Sequence, residues 1–222
     1  MFSITIDGKA GCGKSTLAEE LSKKLNFKKF NTGAVYRGIA CEYINQFGKE
    51  KPSNSIIKKF VNNLQVEVLF NGNAQEIVVN GTNYTPRLRE EEISNFVAFV
   101  SPFDEVREKV RQIQRDFAKN HDCIMEGRDI GTVVLPNAQC KLFVTASNEV
   151  RAQRRLEQLK DEPNPPTFEE LLQELNERDY KDEHREHGAM LPAEDGIIID
   201  NSNETLEQTL NRCLKIIEEK RK

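Results

Sequence analysis

The feature that most constrains the fold lies near the beginning of the sequence, where a short apolar run leads directly into a glycine-rich loop. Residues 2–6 read FSITI, residues 8–16 read GKAGCGKST, and Leu17, Leu21 and Leu25 then mark one face of a helix. A strand followed by a glycine loop and a helix is typical of proteins whose helices connect parallel strands. The beginning of the sequence therefore predicts an α/β fold.

Further candidate strands, most of them short apolar runs, recur along the chain at residues 29–31, 123–125, 141–145 and 196–200. Stretches with helical periodicity separate them, as expected for strands that are buried on both faces and connected by crossover helices. We predict a doubly wound parallel five-stranded sheet. The 222 residues, 37% of them hydrophobic, are enough for one large core, so we predict a single domain over residues 1–222.

Three local patterns refine this prediction. Residues 64–81 alternate between apolar and polar side chains around Asn71-Gly72, which predicts an antiparallel β-hairpin inserted in the α/β unit. Residues 158–167 are polar and contain three prolines, which indicates a loop. Ser101 followed by Pro102 predicts a helix that begins at residue 102.

Composition narrows the classes of protein that the chain can belong to. A formal net charge of −4 argues against a protein that coats nucleic acid. No long apolar run and no leader-like start are found in the sequence, so we expect neither membrane insertion nor secretion. The five cysteines are scattered and never form a C-x-x-C pair, which predicts reduced thiols in a cytoplasmic protein.

The glycine loop matches the phosphate-binding pattern G-x-x-x-x-G-K-[ST] at every fixed position. Its backbone N–H groups and the start of the following helix would bind a polyphosphate, Lys14 would reach the β- and γ-phosphates, and the Ser15 hydroxyl would ligate Mg²⁺. Cys12 is interpreted as a small residue that the loop tolerates. The predicted ATP-binding residues of the loop are Gly8, Lys9, Ala10, Gly11, Cys12, Gly13, Lys14, Ser15 and Thr16.

A phosphate loop alone leaves switches, regulatory ATPases and small-molecule kinases open, although no Asn-Lys-x-Asp signature of a GTPase is present. Thr32 and Arg37 follow the second predicted strand, where they could enter a ligand crevice or belong to an ordinary capped helix. An apolar helical stripe from Phe168 continues into Arg178, Asp182 and Arg185. Those charges indicate either a helix that overhangs a polar cleft or a common surface ion pair.

Taken together, the motifs resemble those of the bacterial cytidylate kinases, which are P-loop nucleoside monophosphate kinases. The matching stretches are GKAGCGKST, NTGAVYR at 31–37, EVR at 105–107, GRDIGTVV at 127–134, ERDYKD at 177–182 with Arg185, and LPAED at 191–195. Their order and spacing extend the resemblance from residue 3 to about residue 215. The hairpin resembles that family's enlarged monophosphate-binding region.

The resemblance implies an enzyme that transfers the γ-phosphoryl group of ATP to CMP or dCMP, with Mg²⁺ as cofactor. It implies a core of residues 1–50, 101–150 and 186–222, a monophosphate-binding region at about 51–100, and a short lid with its following helix at about 151–185. Its partners would be these small molecules, without nucleic acid or membrane, and the chain would be a monomer. The residues implied for CMP are Thr32, Arg37, Arg107, Arg128, Asp129, Asp182 and Arg185. The residues implied for catalysis are Lys14, Arg128, Arg178 and Asp129, and Arg154 near the lid is implied for ATP, beside Arg151 and Arg155.

Adjacent Arg128 and Asp129 suit a pyrimidine that carries both a carbonyl and an amino group, because an arginine donates and a carboxylate accepts. The sequence departs from the family at Glu126, where aspartate is usual, and at Ala98, where a serine near the cytosine is common. Ala98 removes a hydroxyl that could read the base. Two alternatives to a cytidylate kinase are a regulatory ATP-binding switch and a small kinase for another acceptor such as UMP.

Overall fold

The structure is a computed structural model that describes residues 1–161, 163–186 and 188–222. Its residue contacts divide the chain into a first unit, Met1–Lys28 with His121–Lys222, and a second unit, Lys29–Asn120. The predicted single domain and its internal boundaries stay predictions. The strands are β1 (Ser3–Gly8), β2 (Lys28–Phe30), β3 (Val66–Asn71), β4 (Ala74–Val79), β5 (Thr82–Asn83), β6 (Cys123–Glu126), β7 (Cys140–Thr145) and β8 (Ile197–Asp200). The helices are α1 (Lys14–Leu25), α2 (Thr32–Phe47), α3 (Asn54–Asn62), α4 (Glu91–Val100), α5 (Asp104–Asn120), α6 (Asn148–Leu159), α7 (Phe168–Glu183) and α8 (Leu206–Lys220).

The main sheet has five strands in the order β2-β6-β1-β7-β8, with β1 in the centre. Strand β1 pairs in parallel with β6 and β7, and β7 pairs in parallel with β8. Two strands lie on each side of the central strand β1, so the predicted doubly wound parallel five-stranded sheet is confirmed. Because the strands are parallel, their carboxyl ends meet at one edge, where Gly8, Glu126 and Thr145 lie.

The core of the first unit explains why the apolar runs of the sequence form this sheet. Side chains of β1, β6 and β7 pack with the apolar faces of α1 and α8, and Ile4, Leu17 and Leu142 are almost completely buried. A smaller cluster joins α6, α7 and the glycine loop through Ala10, Ala152, Leu171 and Leu175. Burial on this scale is the main favourable term for the fold, at about 25 cal/mol per Å² of apolar surface.

The second unit contains the predicted hairpin as an antiparallel sheet of β3, β4 and β5. A buried carboxylate joins this sheet to α2. Glu42 of α2 accepts hydrogen bonds from Gln46 (2.6 Å), from Asn80 at the end of β4 (2.7 Å) and from the Tyr84 hydroxyl (2.6 Å). Three neutral donors thus satisfy a side chain that is only 4% exposed.

Several boundaries differ from the sequence predictions. The hairpin loop consists of Gly72 and Asn73, one residue later than predicted, because Asn71 still pairs with Ala74. Helix α5 begins at Asp104, not at residue 102, because Ser101 ends the preceding helix by donating its N–H to the Val97 carbonyl.

The sequence pattern does not predict strand β5, which follows the hairpin directly. The predicted loop at 158–167 lies between the end of α6 and the start of α7, with residue 162 outside the described residues. Across the described part of the chain, no helix combines the length and the hydropathy needed to span a membrane.

Candidate active site

The glycine loop connects β1 to α1 at the carboxyl edge of the sheet. Gly8 has a φ of +136°, and a Cβ atom there would lie 1.9 Å from the Val144 carbonyl oxygen, so only glycine fits. Gly13 precedes the first turn of α1, and no side chain caps the helix there. The start of a helix without a side-chain cap is a place where an anion can bind, as the phosphate-binding pattern predicts.

The lysine of the loop is buried at the point where a phosphate would bind. The Lys14 ammonium donates to the Lys9 carbonyl at 2.6 Å and lies 3.6 Å from the Cys12 sulfur. Burial lowers the pKa of Lys14, while the neighbouring Cys12 thiol acts in the opposite direction. A poorly solvated cation inside a glycine loop interacts more strongly with an arriving phosphate than an exposed one does.

The predicted metal ligand is paired with the acid that departs from the family pattern. The Ser15 hydroxyl donates to Glu126 Oε2 at 2.6 Å, across the edge between α1 and β6. A hydroxyl and a carboxylate at one place are oxygen donors of the type that Mg²⁺ prefers. In the described part of the chain, no group of three or more His, Cys, Asp or Glu side chains forms a metal cluster. The pair suits a cation that also takes oxygen ligands from phosphate and water.

A second carboxylate at this edge, Asp7, had not been singled out from the sequence. It is 4% exposed, and it accepts hydrogen bonds from the backbone N–H groups of Ile130 (2.9 Å) and Gly131 (2.7 Å). Burial raises the pKa of Asp7 from 3.8 to about 6, against the effect of those two N–H groups. The signal in the sequence is an acid at the end of an otherwise uncharged strand, immediately before the loop.

Three of the residues predicted to bind CMP contact one another in the first unit. Asp182, near the end of α7, is almost fully buried and accepts a hydrogen bond from Arg128 Nε at 2.8 Å. The same carboxylate pairs with Arg185. Asp129 follows Arg128 and begins a π-helical turn, Ile130–Val134. The structure therefore brings Arg128, Asp182 and Arg185 into one ion network, and Asp129 is the next residue along the chain after Arg128.

Three other arginines that the sequence places near the lid or the transferring phosphate differ in their surroundings. Arg151 is fully buried and donates to the Ala10 carbonyl of the loop at 2.8 Å and to Asp179 at 2.6 Å, which fits a structural role better than a place in a lid. Arg154 binds the side chain and the carbonyl of Asn201, both at 3.0 Å. Arg178 is exposed, and within the described residues it forms no ion pair; the surface pair with Asp182 that the sequence left open is not formed.

The second unit holds the other three residues predicted for CMP. Asn31 caps α2 by accepting from the Ala34 N–H, and the next hydroxyl, that of Thr32, accepts from buried Gln114 at 2.9 Å. Arg37 lies one turn further along α2, and its Nε is buried with no hydrogen-bond partner among the described residues. Arg107 lies in the first turns of α5 and is partly exposed.

Together, the fold and the loop define the class of the protein. A parallel α/β sheet that carries a G-x-x-x-x-G-K-S loop between its central strand and a helix is a P-loop fold. A solved structure of an uncharacterized protein from Eubacterium ventriosum ATCC 27560 shares the fold, with a TM-score of 0.53, 11% identity and coverage of 98% of this chain and 99% of that chain.

Comparison with sequence families narrows the class further. The model of the cytidylate kinase family matches residues 4–219. A cytidylate kinase of Caldicellulosiruptor saccharolyticus is 39% identical over 215 residues, covering 97% of this chain and 95% of the relative. A cytidylate kinase of Flavobacterium johnsoniae is 39% identical over 220 residues, with coverage of 97% and 96%. The chain belongs to the cytidylate kinase family.

Proposed function

We propose that this protein is a nucleoside monophosphate kinase that transfers the γ-phosphoryl group of ATP to CMP or dCMP. The observation that carries the proposal is the position of buried Lys14, in its phosphate loop, at the same sheet edge from which the Arg128–Asp182–Arg185 network extends. Membership of the cytidylate kinase family supports the same activity.

The arrangement of charges suits phosphoryl transfer. In a loose transition state the enzyme mainly positions the donor and acceptor phosphates in line and neutralises their negative charge. Lys14 would act on the phosphates of ATP, and Arg128 with Arg185 would bind the phosphate of CMP, with Asp182 holding both guanidinium groups in place. Arg178, exposed and unpaired within the described residues, would be free to turn toward the transferring group.

Mg²⁺ is the proposed cofactor, and the residues present fit it. Ser15 and Glu126 would hold it, since their oxygen atoms lie 2.6 Å apart in the described structure. When bound, the metal would supply positive charge that offsets the phosphate oxygens. The chain's own contribution is the Glu126 carboxylate, which fixes the orientation of the Ser15 hydroxyl by accepting its hydrogen bond.

Recognition of the base is assigned to Asp129, which would accept a hydrogen bond from the amino group of cytosine. Uracil offers a carbonyl oxygen at that position, and two acceptors facing each other without a proton between them are unfavourable. Position 98 is an exposed alanine in α4, so no hydroxyl at this position assists the discrimination. Thr32, Arg37 and Arg107 stay predictions as further ligands of CMP.

An acceptor panel tests the proposal. ADP formation from ATP and Mg²⁺ would be measured with CMP, dCMP, UMP, AMP and GMP as acceptors, and without an acceptor. We expect CMP or dCMP to give the highest kcat/KM. Faster turnover with UMP, AMP or GMP would identify another kinase, and ATP turnover that is independent of every acceptor would identify a regulatory switch.

A cytoplasmic location is proposed as well. All five cysteines are buried free thiols, which suits a reducing compartment. The monomeric state stays a prediction, and sedimentation of the purified chain would test it.

A further inference from the structure

We propose that Asp7 is a positioning residue that holds the Arg128-Asp129 turn in place for base recognition, although it touches neither substrate itself. The inference builds on the proposed function, because it assigns the positioning of Asp129, the proposed base-reading residue, to a residue on another element. It comes from the contacts of Asp7 with the π-helical turn Ile130–Val134, which follows Asp129 directly.

The contacts of Asp7 define its role. Oδ1 accepts from the Ile130 N–H at 2.9 Å, and Oδ2 accepts from the Gly131 N–H at 2.7 Å. The first N–H groups of a helical turn have no partner within the turn, and here a carboxylate from another strand supplies partners for two of them.

Close packing makes the arrangement specific to these residues. A Cβ atom on Gly131 would lie 2.8 Å from Thr5 Oγ1 and 3.3 Å from Asp7 Oδ2, so glycine allows the turn to approach β1. The carboxyl of Asp7 is almost completely buried. In a low-dielectric site, hydrogen bonds between a carboxylate and N–H groups are stronger and better oriented than at the surface.

The position of Asp7 in the chain adds a second consequence. Asp7 directly precedes Gly8, the first residue of the phosphate loop, so one residue is covalently joined to the ATP-binding loop and hydrogen bonded to the base-reading turn. Charged groups that act on it are Asp129, which raises the pKa of Asp7, and Lys14, which lowers it. The carboxylate is therefore placed to keep the two substrate sites in a fixed register.

The substitution Asp7→Asn tests the role without changing the size of the side chain. The amide can accept only one of the two N–H groups and presents a donor to the other. We expect KM for CMP to rise about tenfold and KM for ATP to stay within about twofold, because one charge-assisted hydrogen bond is lost at the base-reading turn. We also expect the Ile130 and Gly131 amides to exchange hydrogen faster.

Thr5→Val is the matched control. Thr5 lies on the same strand, its hydroxyl is buried with no hydrogen-bond partner among the described residues, and valine has nearly the same shape. We expect neither the KM for CMP nor the exchange at the two amides to change in this variant.

Gly131→Ala is the second variant, for use if Asp7→Asn does not fold. It keeps the carboxylate of Asp7 but pushes the turn away from β1, so it should raise KM for CMP in the same way.

Two results would overturn the inference. One is an equal rise of both KM values in Asp7→Asn, which would show that Asp7 supports the whole loop. The other is unchanged exchange at Ile130 and Gly131. The exchange measurement needs no turnover, so it also decides whether Asp7 holds the turn if the wild-type chain proves inactive on CMP and the proposed function fails.

Discussion

The buried guanidinium of Arg151 gives the sharpest test of how the first unit is stabilised. Arg151 is fully buried and donates to the Ala10 carbonyl (2.8 Å), the Ala146 carbonyl (3.2 Å) and Asp179 Oδ2 (2.6 Å). Replacing it with methionine keeps most of the volume but leaves two carbonyls without this donor and a buried carboxylate without its closest cation. Breaking a buried ion pair from one side costs about 3–5 kcal/mol. We expect Arg151→Met to lower the free energy of unfolding by that amount.

The measurement is equilibrium unfolding in urea, followed by circular dichroism, with Arg155→Met as the control. Arg155 lies on the same helix but is exposed, and among the described residues it donates only to Gln158, at 3.3 Å, so its loss should cost no more than about 0.5 kcal/mol. A double variant with Asp179→Leu should recover part of the loss, because the uncompensated charge is then absent. A cost for Arg151→Met equal to that of the control would refute the reasoning.

Four further outcomes are expected. Lys14→Ala should lower ADP formation at least about 100-fold with every acceptor, since the charge on the transferred group is no longer offset. Asp129→Ala should raise KM for CMP about tenfold and spare KM for ATP, and an equal loss of ATP affinity would show that Asp129 is misplaced. Because burial raises the pKa of Asp7 to about 6, the folded state binds this proton more tightly than the unfolded state does. The difference in unfolding free energy between the wild type and Asp7→Asn should therefore fall by about 1 kcal/mol from pH 5 to pH 7. An increase of this difference over the same range would contradict the raised pKa of Asp7. In the second unit, a Cβ on Gly38 would lie 2.4 Å from Ile77 Cγ2, so Gly38→Ala should destabilise by about 1–3 kcal/mol in thermal unfolding.

The parts of the fold that the sequence predicted well are those that local patterns determine. All five strands of the main sheet lie within two residues of their predicted bounds. The three central strands, β6, β1 and β7, are buried along almost their whole length, which explains their apolar runs in the sequence. The apolar helical stripe predicted from Phe168 also forms, because helix α7 begins at that residue. Strand β5 was missed because a polar pair, Thr82–Asn83, is too short to show alternation.

The parts of the site that the sequence did not predict depend on distant partners. In the sequence, Arg151 cannot be told from a surface arginine, because its buried partner, the Ala10 carbonyl, lies 141 positions away. Asp7 accepts its hydrogen bonds from Ile130 and Gly131, which are separated from it by 123 and 124 positions in the sequence. No local pattern contains such pairings, although a charged residue at the end of an apolar strand is a reason to look for one.

The buried carboxylate of Glu42 bears on whether the β-sheet of the second unit could be exchanged between related enzymes. Two of its three donors, Asn80 and Tyr84, come from that sheet and its exit, and only Gln46 belongs to the same helix. A chimera that trimmed the sheet to a short loop would leave the acid in an apolar environment with one donor. Such a chimera would need the substitution Glu42→Leu in α2 at the same time. The helix and the sheet would therefore have to be changed together.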